Sequence, residues 1–193
     1  MRGIPACLFA ALLLAACTSS RETAPARSAA EQLLISAAAD RSAGQIEFGV
    51  PAGAKAFVDS FIEGPDAKYA LAALRDRLIR QGALPTADRN AADWIVEVRA
   101  GALSIDDEAT LFGLPSFNAP IPLTSATQTP ELALFKRARR IGIAQFAATS
   151  YPVRGGAASA AGPAYGYARA TKWTILFAIS WSTDDITPPG KCD

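Results

Sequence analysis

Cys17 is the residue for which the sequence indicates a definite covalent chemistry. It follows Leu-Ala-Ala at residues 14–16, so one aliphatic and two small residues lead up to the thiol. A positive charge at Arg2 and an apolar stretch over residues 4–16 come before it. A stretch of this length is typical of a secretion signal and is shorter than the roughly 20 apolar residues that span a membrane. The alternative is an ordinary signal peptide with a coincidental cysteine.

This arrangement resembles the lipobox of bacterial lipoproteins, and the resemblance implies a lipid anchor. The Cys17 thiol would receive a diacylglycerol, residues 1–16 would be removed as a signal peptide, and the new amino group would carry a further acyl chain such as palmitate. Several acyl chains on one residue anchor a protein stably, whereas one chain gives only marginal binding. Thr18 stands next to the cysteine. By resemblance to Gram-negative lipoproteins, a residue other than Asp there implies sorting to the outer membrane, facing the periplasm.

Histidine is absent from the sequence, and this restricts the chemistry that remains. Ser-His-Asp and Cys-His catalysis in their usual forms are excluded, and so are the common zinc sites. Neither Ser42 nor Ser60 has a plausible base beside it in sequence. Cys7 would leave with the signal, so only Cys192 remains, either as a tail thiol or in an intermolecular disulfide. We therefore predict no catalytic residue, no cofactor and no metal site.

Two carboxylate runs, residues 106–108 (Asp-Asp-Glu) and 184–185 (Asp-Asp), could in principle bind a cation. Neither run has the alternate spacing and the turn glycine of such a site, and we interpret both as solvated loops. Gly155 and Gly156 lack the strand-to-helix context and the lysine of a phosphate-binding loop. A hydrolase that uses a pair of carboxylates stays a remote alternative, since nothing in the sequence points to it.

Length and charge indicate one domain with no reason to bind nucleic acid. The chain has 19 Lys and Arg against 18 Asp and Glu, and the loss of Arg2 with the signal would make the two equal. We predict a signal peptide over residues 1–16, a lipidated flexible tether over 17–27, a single domain over 28–187 and a tail over 188–193.

The N-terminal half of the domain has clear helix and strand patterns. Ser28 and Glu31 form a capping box, which predicts a helix over residues 29–40. Residues 55–61 read as a strand, and residues 66–81 as an amphipathic helix that Gly82 ends. A second strand is predicted over residues 94–105, where Trp94, Val96, Val98 and Ala100 share one face.

The C-terminal half is less regular. Residues 111–123 contain three prolines and read as a long loop, either packed over the domain or exposed to a partner or lipid. Residues 130–141 predict a helix, ended by Gly142, with a basic surface of Lys136, Arg137, Arg139 and Arg140. Strands are expected over residues 143–153 and 157–168, around a turn at residues 154–156. A last strand over residues 171–183 would place five apolar residues on one face: Trp173, Ile175, Phe177, Ile179 and Trp181.

These elements predict an α/β (α+β) fold, with a small mixed sheet of about four to five strands and two to three packed helices. Residues 57–59 and 92–98, with the helix between them, resemble small periplasmic lipoprotein domains such as the curli-secretion channel lipoprotein and transport-auxiliary lipoproteins. Residues 129–137, 162–166 and 172–174 look like marks of an uncharacterised family of bacterial lipoproteins. That resemblance implies no activity and no site residue beyond the lipobox cysteine.

Three functions follow as hypotheses. The first is a non-enzymatic envelope lipoprotein, held at the membrane by its lipid, that acts as an assembly or accessory component through a protein partner or self-association. The second is a periplasmic module that binds lipid or glycan beside Trp173, Trp181 or Tyr165. The third is the carboxylate-based hydrolase. A concave apolar pocket would favour binding, while a filled interior with flat exposed patches would favour assembly.

Overall fold

A computed structural model describes residues 27–116, 118–119, 127–128 and 131–186 of the chain. The predictions for Cys17, Cys192, the signal segment and nearly all of the tether lie outside these residues. The described elements follow one another as α1 (Ala29–Ala43), β1 (Lys55–Phe61), α2 (Ala67–Arg80), β2 (Leu84–Thr86), a short 3-10 helix (Arg89–Ala91), β3 (Trp94–Leu114), β4 (Asn118–Ala119), β5 (Thr127–Gln128), β6 (Leu132–Pro152), β7 (Ser159–Ile175) and β8 (Ile179–Asp184).

Six of these strands form one mixed sheet in the order β2-β1-β3-β6-β7-β8. β1 pairs in parallel with β2 and β3, whereas β3, β6, β7 and β8 pair antiparallel in succession. β4 and β5 form a separate two-stranded ribbon. The predicted α+β class with a mixed sheet is confirmed, and the sheet has one strand more than the upper estimate.

Helix α1 begins at the predicted capping box. The Ser28 hydroxyl accepts from the backbone N–H of Glu31, and the Glu31 carboxylate accepts from the backbone N–H of Ser28. The helix lies on β6 and β7 at very short range, because glycines face it there. A Cβ on Gly166 would overlap the carbonyl oxygen of Ala38, and one on Gly142 would overlap that of Leu34. These two glycines are therefore required for the helix to pack on the sheet.

The core lies between the two helices and one face of the sheet. Its largest fully buried side chains are Phe48, Phe146, Leu34, Ile46, Leu74, Leu78, Val96 and Val98. Val96 and Val98 confirm the predicted inward face of β3, and Leu74 and Leu78 confirm that of α2. Gly82 has a positive φ of 89° directly after α2, as a helix-ending glycine should.

The prediction of a basic helix over residues 130–141 is wrong. These residues form the first half of β6, which runs from Leu132 to Pro152 without a break. Their helical propensity is high, but each residue from 135 to 141 is paired with β3 on one side and with β7 on the other. Pairing with two distant segments outweighs a local preference that amounts to only a few tenths of a kcal/mol per residue.

The prediction of one strand over residues 171–183 is also wrong, because this segment is a hairpin. β7 ends at Ile175, residues 176–178 turn, and β8 returns along β7, so that Trp173 is paired with Trp181. Both Leu176 and Phe177 have positive φ, at 47° and 68°. No local pattern indicates the turn, since the alternation of apolar residues continues through it and no Gly, Asn or Pro lies in it.

Strand β3 is longer than predicted and includes residues that were predicted to be in loops. It continues past residue 105 to Leu114, so it contains the whole carboxylate run at 106–108 and the first four residues of the segment 111–123. Most of the remainder of that segment lies outside the described residues. The other predicted loop, the turn at residues 154–156, is confirmed between β6 and β7.

Candidate functional site

The sheet continues far beyond the helices, and we call this part the extension. It consists of residues 106–114 of β3, 132–141 of β6, 169–175 of β7, the turn 176–178 and β8. No described helix covers either of its faces past the start of α1, and Ala133 is the one fully buried side chain among its described residues. A sheet exposed on both faces has no core of its own, so its surface is available for contact.

The far end of the extension carries half of the large apolar side chains that are exposed in the described part of the chain. We call seven of them the apolar tip: Phe112, Leu114, Leu132, Leu134, Leu176, Phe177 and Ile179. Their exposed fractions range from 43% to 69%. The turn places Leu176 and Phe177 beside β6, because their backbone N–H groups donate to the carbonyls of Leu134 and Ala133 at 2.9 and 3.0 Å.

An aromatic row crosses the extension behind the tip, on the face turned away from α1. The rings of Trp173 and Trp181 are stacked with centroids 6.3 Å apart, and Phe135 meets Trp173 at 6.0 Å. The guanidinium carbon of Arg137 lies 5.1 Å from the centroid of Trp173. Among the described residues, Arg137 Nε is buried without a hydrogen-bond partner, and the guanidinium lies against the ring face of Trp173.

The predicted ligand-binding aromatics are brought together only in part. Trp173 and Trp181 are neighbours, as described above. Tyr165 lies on the same face but eight residues back along β7, which is roughly 26 Å at the usual rise of a strand. Tyr165 instead stacks with Tyr167 at 6.4 Å. The arrangement is a flat, open face rather than a concave pocket.

Ion pairs across the strands join two residues of the carboxylate run to two residues of the basic cluster. Arg139 contacts Glu108 at 3.4 Å, and Arg140 contacts both Asp107 at 3.1 Å and Glu31 of α1 at 3.2 Å. Lys136 contacts Glu131 at 2.7 Å. The prediction of a solvated loop at residues 106–108 is therefore corrected, since two of its carboxylates balance charge across the sheet.

β8 is the edge strand of the sheet, and all six of its residues are exposed. The chain after it is held down by Asp185, which the prediction placed in a solvated loop. Its carboxylate pairs with Arg41 at 3.1 Å and accepts from the backbone N–H of Arg169 at 2.9 Å. No strand pairs with the outer side of β8 in the part of the chain that the structure describes, and such an edge can accept a further strand.

A groove of about 710 Å³ lies between the start of α1 and the start of α2. It is mostly apolar, with the Arg27–Asp66 ion pair and Tyr69 on its walls.

The Tyr69 hydroxyl donates a hydrogen bond to the carboxylate of Asp40 at 2.9 Å. Burial raises the pKa of the Tyr69 phenol above its ordinary value, and the hydrogen bond and charge of Asp40 act in the same direction. The phenol therefore stays protonated at neutral pH.

Neither serine considered in the sequence is placed as a nucleophile. Ser42 is fully buried and donates to the carbonyl of Ala164 at 2.9 Å, while Ser60 lies half-buried on β1. Within the described ranges, no group of three or more His, Cys, Asp or Glu side chains is arranged to hold a metal ion. In the same ranges, neither helix combines the length and the apolar character that crossing a membrane requires.

Sequence reasoning missed the apolar tip, although a signal was present. Residues 109–130 and 173–183 contain no charged residue. The first run includes most of the connection from β3 to β6, and the second includes the turn from β7 to β8. Once the pairing of the strands is known, both connections lie at the same end of the sheet, and their composition predicts that this end is apolar.

Comparison with known proteins gives one match. Residues 11–172 match the family that is described as a family of unknown function (DUF6655). This region includes the segment 14–17 and reaches to within a few residues of the end of β7. No curated protein matches the chain.

Proposed function

The chain belongs to the DUF6655 family, and from that premise we propose that it is a membrane-anchored envelope lipoprotein that acts without catalysis, as an assembly or accessory component that binds other proteins. Its location would be the outer membrane, facing the periplasm, with Cys17 as the lipidated residue. The lipobox pattern at residues 14–17 supports the anchor, and the family match includes this segment.

The open extension is the observation that carries the proposal. Within the described residues, the helices stop halfway along the sheet, and no described element covers the two faces of the extension or pairs with the outer side of β8. Exposed edges are normally shortened, charged or covered in proteins that stay alone. Here the edge strand contains one charged residue in six, Asp184, and it has Trp181 on its open face. A partner could add a strand to β8 and bury Trp181 in the same contact.

A lipid- or glycan-binding module is the alternative, and the stacked pair of Trp173 and Trp181 favours it. Ring faces stack on sugars and acyl chains, but the stack lies on a flat surface, whereas sites for small ligands are concave. Titration with soluble glycan fragments distinguishes the two functions, since a binding module would change its tryptophan emission on saturation.

Site-specific photo-crosslinking in the native envelope tests the protein contact. A photoreactive residue at position 181 should give a protein adduct of defined mass. The matched control is position 84, because Leu84 lies on the opposite edge strand, β2, and is 54% exposed. A chain that is monomeric and gives no protein adduct from position 181 would contradict the proposal.

The anchor has a separate test. Intact-mass measurement of the membrane-extracted chain should show acyl mass on Cys17 and loss of residues 1–16. The variant Cys17→Ser should leave the membrane fraction. A Cys17→Ser chain that stays in the membrane fraction, or wild-type protein without added mass, would overturn the lipoprotein part of the proposal.

A further inference from the structure

The apolar tip has the composition of a surface that meets lipid. Its seven side chains are Phe, Leu and Ile, and they lie at one end of β3, β6 and β8 and in the turn between β7 and β8. In sequence, residues 109–130 contain no charged residue, and Glu131, beside Leu132, is paired with Lys136 at 2.7 Å. Aliphatic and aromatic side chains that enter the headgroup and acyl boundary gain the free energy of apolar burial.

The turn at the tip strengthens this interpretation. Leu176 and Phe177 both adopt positive φ, a conformation that Asn and Gly adopt most easily and that bulky residues adopt at a cost. Both side chains point into solvent, with 61% and 55% of their surface exposed. They contribute little to folding at these positions, so their apolar character serves a contact outside the domain.

Helix α1 shows which way the tether leaves the domain. At the start of the helix, Glu31 is paired with Arg140 of β6. Further along the helix, Leu34 lies against Gly142 of β6, and then Ala38 lies against Gly166 of β7. Because Gly166 is paired with Ala144, the helix runs away from the tip as the residue number rises. Its N-terminus therefore points towards the tip.

The tether is long enough to bring the anchor level with the tip. Strand β6 covers about 26 Å from Arg140, beside the helix start, to Leu132 at the tip. Residues 17–27 can span at most about 36–40 Å when fully extended. The lipid on Cys17 and the side chains of the tip can thus enter one membrane surface together.

The charges on the extension indicate which interaction would bind the tip to lipid. Of the cations on β6 in the extension, Lys136, Arg139 and Arg140 are each paired with a carboxylate of the chain and Arg137 lies over the Trp173 ring, so these four offer little attraction to anionic headgroups. The contact should depend on apolar insertion and should change little with salt or with the fraction of anionic lipid.

From these observations we propose that the apolar tip docks into the phospholipid surface that holds the Cys17 anchor. This inference rests on the lipid anchor of the proposed function. Docking holds the sheet upright on the membrane and leaves residues 180–184 of β8 and the face with Trp173 and Trp181 above the lipid, where a protein can bind.

Tryptophan quenching by lipid tests the docking. The full, lipidated chain is reconstituted into phosphatidylcholine vesicles, with or without bromine on the acyl carbons next to the headgroup. The probe is Phe177→Trp. The matched control is Val153→Trp, which replaces another exposed apolar residue close to a turn, beyond the opposite end of β7 and on the order of 50 Å away.

We expect bromine to quench the added emission of Phe177→Trp at least about twofold, because insertion of 5–10 Å is typical of interfacial anchors. The added emission of Val153→Trp should be unchanged.

The outcomes separate this inference from the anchor. A chain that does not float with vesicles contradicts both the anchor and the docking. A chain that floats, but whose Phe177→Trp emission is unquenched, contradicts the docking alone. An emission that is blue-shifted yet insensitive to bromine would show that a protein or a second copy covers the tip, and this too would overturn the proposal.

Discussion

The extension and the rest of the described domain, which we call the body, share β3, β6 and β7 but are stabilised in different ways. In the body, β6 and β7 present Gly and Ala to α1, and the helix backbone lies almost directly on the strands. In the extension, the same two strands present long charged and aromatic side chains to each other and to solvent. One sheet thus continues out of its hydrophobic core, and beyond it cross-strand pairs replace burial as the stabilising contact.

This difference predicts that the two parts differ in free energy of opening. Close packing in the body depends on exact steric fit, so a single methyl group should matter there. Pairs on an exposed sheet contribute roughly 0.2–1 kcal/mol each, so single changes in the extension should have small effects. The following variants test or sharpen that contrast.

Gly166→Ala should have the largest effect. Its Cβ would overlap the carbonyl oxygen of Ala38 and lie 2.6 Å from the backbone nitrogen of Ser42, so α1 must move away from the sheet. We expect the free energy of unfolding to fall by about 3 kcal/mol or more, measured by chemical denaturation.

The control for this variant is Gly101→Ala, on β3. The new Cβ would meet only the side chain of Gln145, which can rotate away. The loss there should stay below about 1 kcal/mol. Equal losses at Gly101 and Gly166 would show that the helix contact is not what limits stability.

The double variant Leu176→Asn with Phe177→Gly should change stability in the opposite direction. Both positions have positive φ, where Asn and Gly are unstrained, and the side chains removed are mostly exposed. We expect the free energy of unfolding to rise by about 1 kcal/mol, which thermal unfolding measures. A destabilised variant would mean that the apolar turn packs on the domain, and the lipid-docking interpretation of these residues would lose its support.

Arg140→Ala should have a smaller effect, at the border between the two regions. Arg140 pairs with Asp107 in the extension and with Glu31 in α1, and its side chain is 45% exposed. Solvent screening limits the expected loss to about 0.5–1 kcal/mol, and the loss should shrink in high salt. Arg139→Ala, whose partner Glu108 lies wholly in the extension, should cost less. Hydrogen exchange of the first turn of α1 would show whether Arg140 is the link between the regions.

Tyr69→Phe should have the smallest effect. The pKa of Tyr69 is raised, so the folded state favours the protonated phenol that donates to Asp40. That contribution is fully present below the ordinary phenol pKa of 10.0 and is lost as pH rises through the folded value. The difference between wild type and variant should therefore be below about 1 kcal/mol at neutral pH and vanish in alkaline solution. A difference that grows above pH 10 would contradict the assignment.

The N-terminal half of the fold could be predicted because its signals are local. Ser28 and Glu31 are three residues apart, and Gly82 ends α2 within one turn of the residues that define the helix. The second half could not be predicted in the same way. Residues 132–141 prefer a helix, and what makes them a strand is their pairing with residues 106–114 and 169–175, which no local pattern contains.

The candidate surface shows the same division. Residues at positions 112, 134 and 176 are unremarkable apolar residues in sequence, and only the antiparallel register of β3, β6 and β7 places them at one end. The carboxylates of residues 106–108 and the cations of residues 136–140 looked like two separate features. Two pairs among them, Asp107 with Arg140 and Glu108 with Arg139, become cross-strand partners once their strands are aligned.

By itself, the sequence determined the absence of histidine chemistry, the capped helix, the amphipathic helix, the inward face of β3 and the pattern that points to a lipid at Cys17. These follow from residue types and from spacings shorter than one helical turn or one strand. The tertiary structure decided that β3, β6 and β7 extend beyond the helices, and that the apolar residues at this end lie on the side to which the N-terminus of α1 points. Both depend on contacts between segments far apart in the chain, whose free energy exceeds the local preferences of the residues that make them.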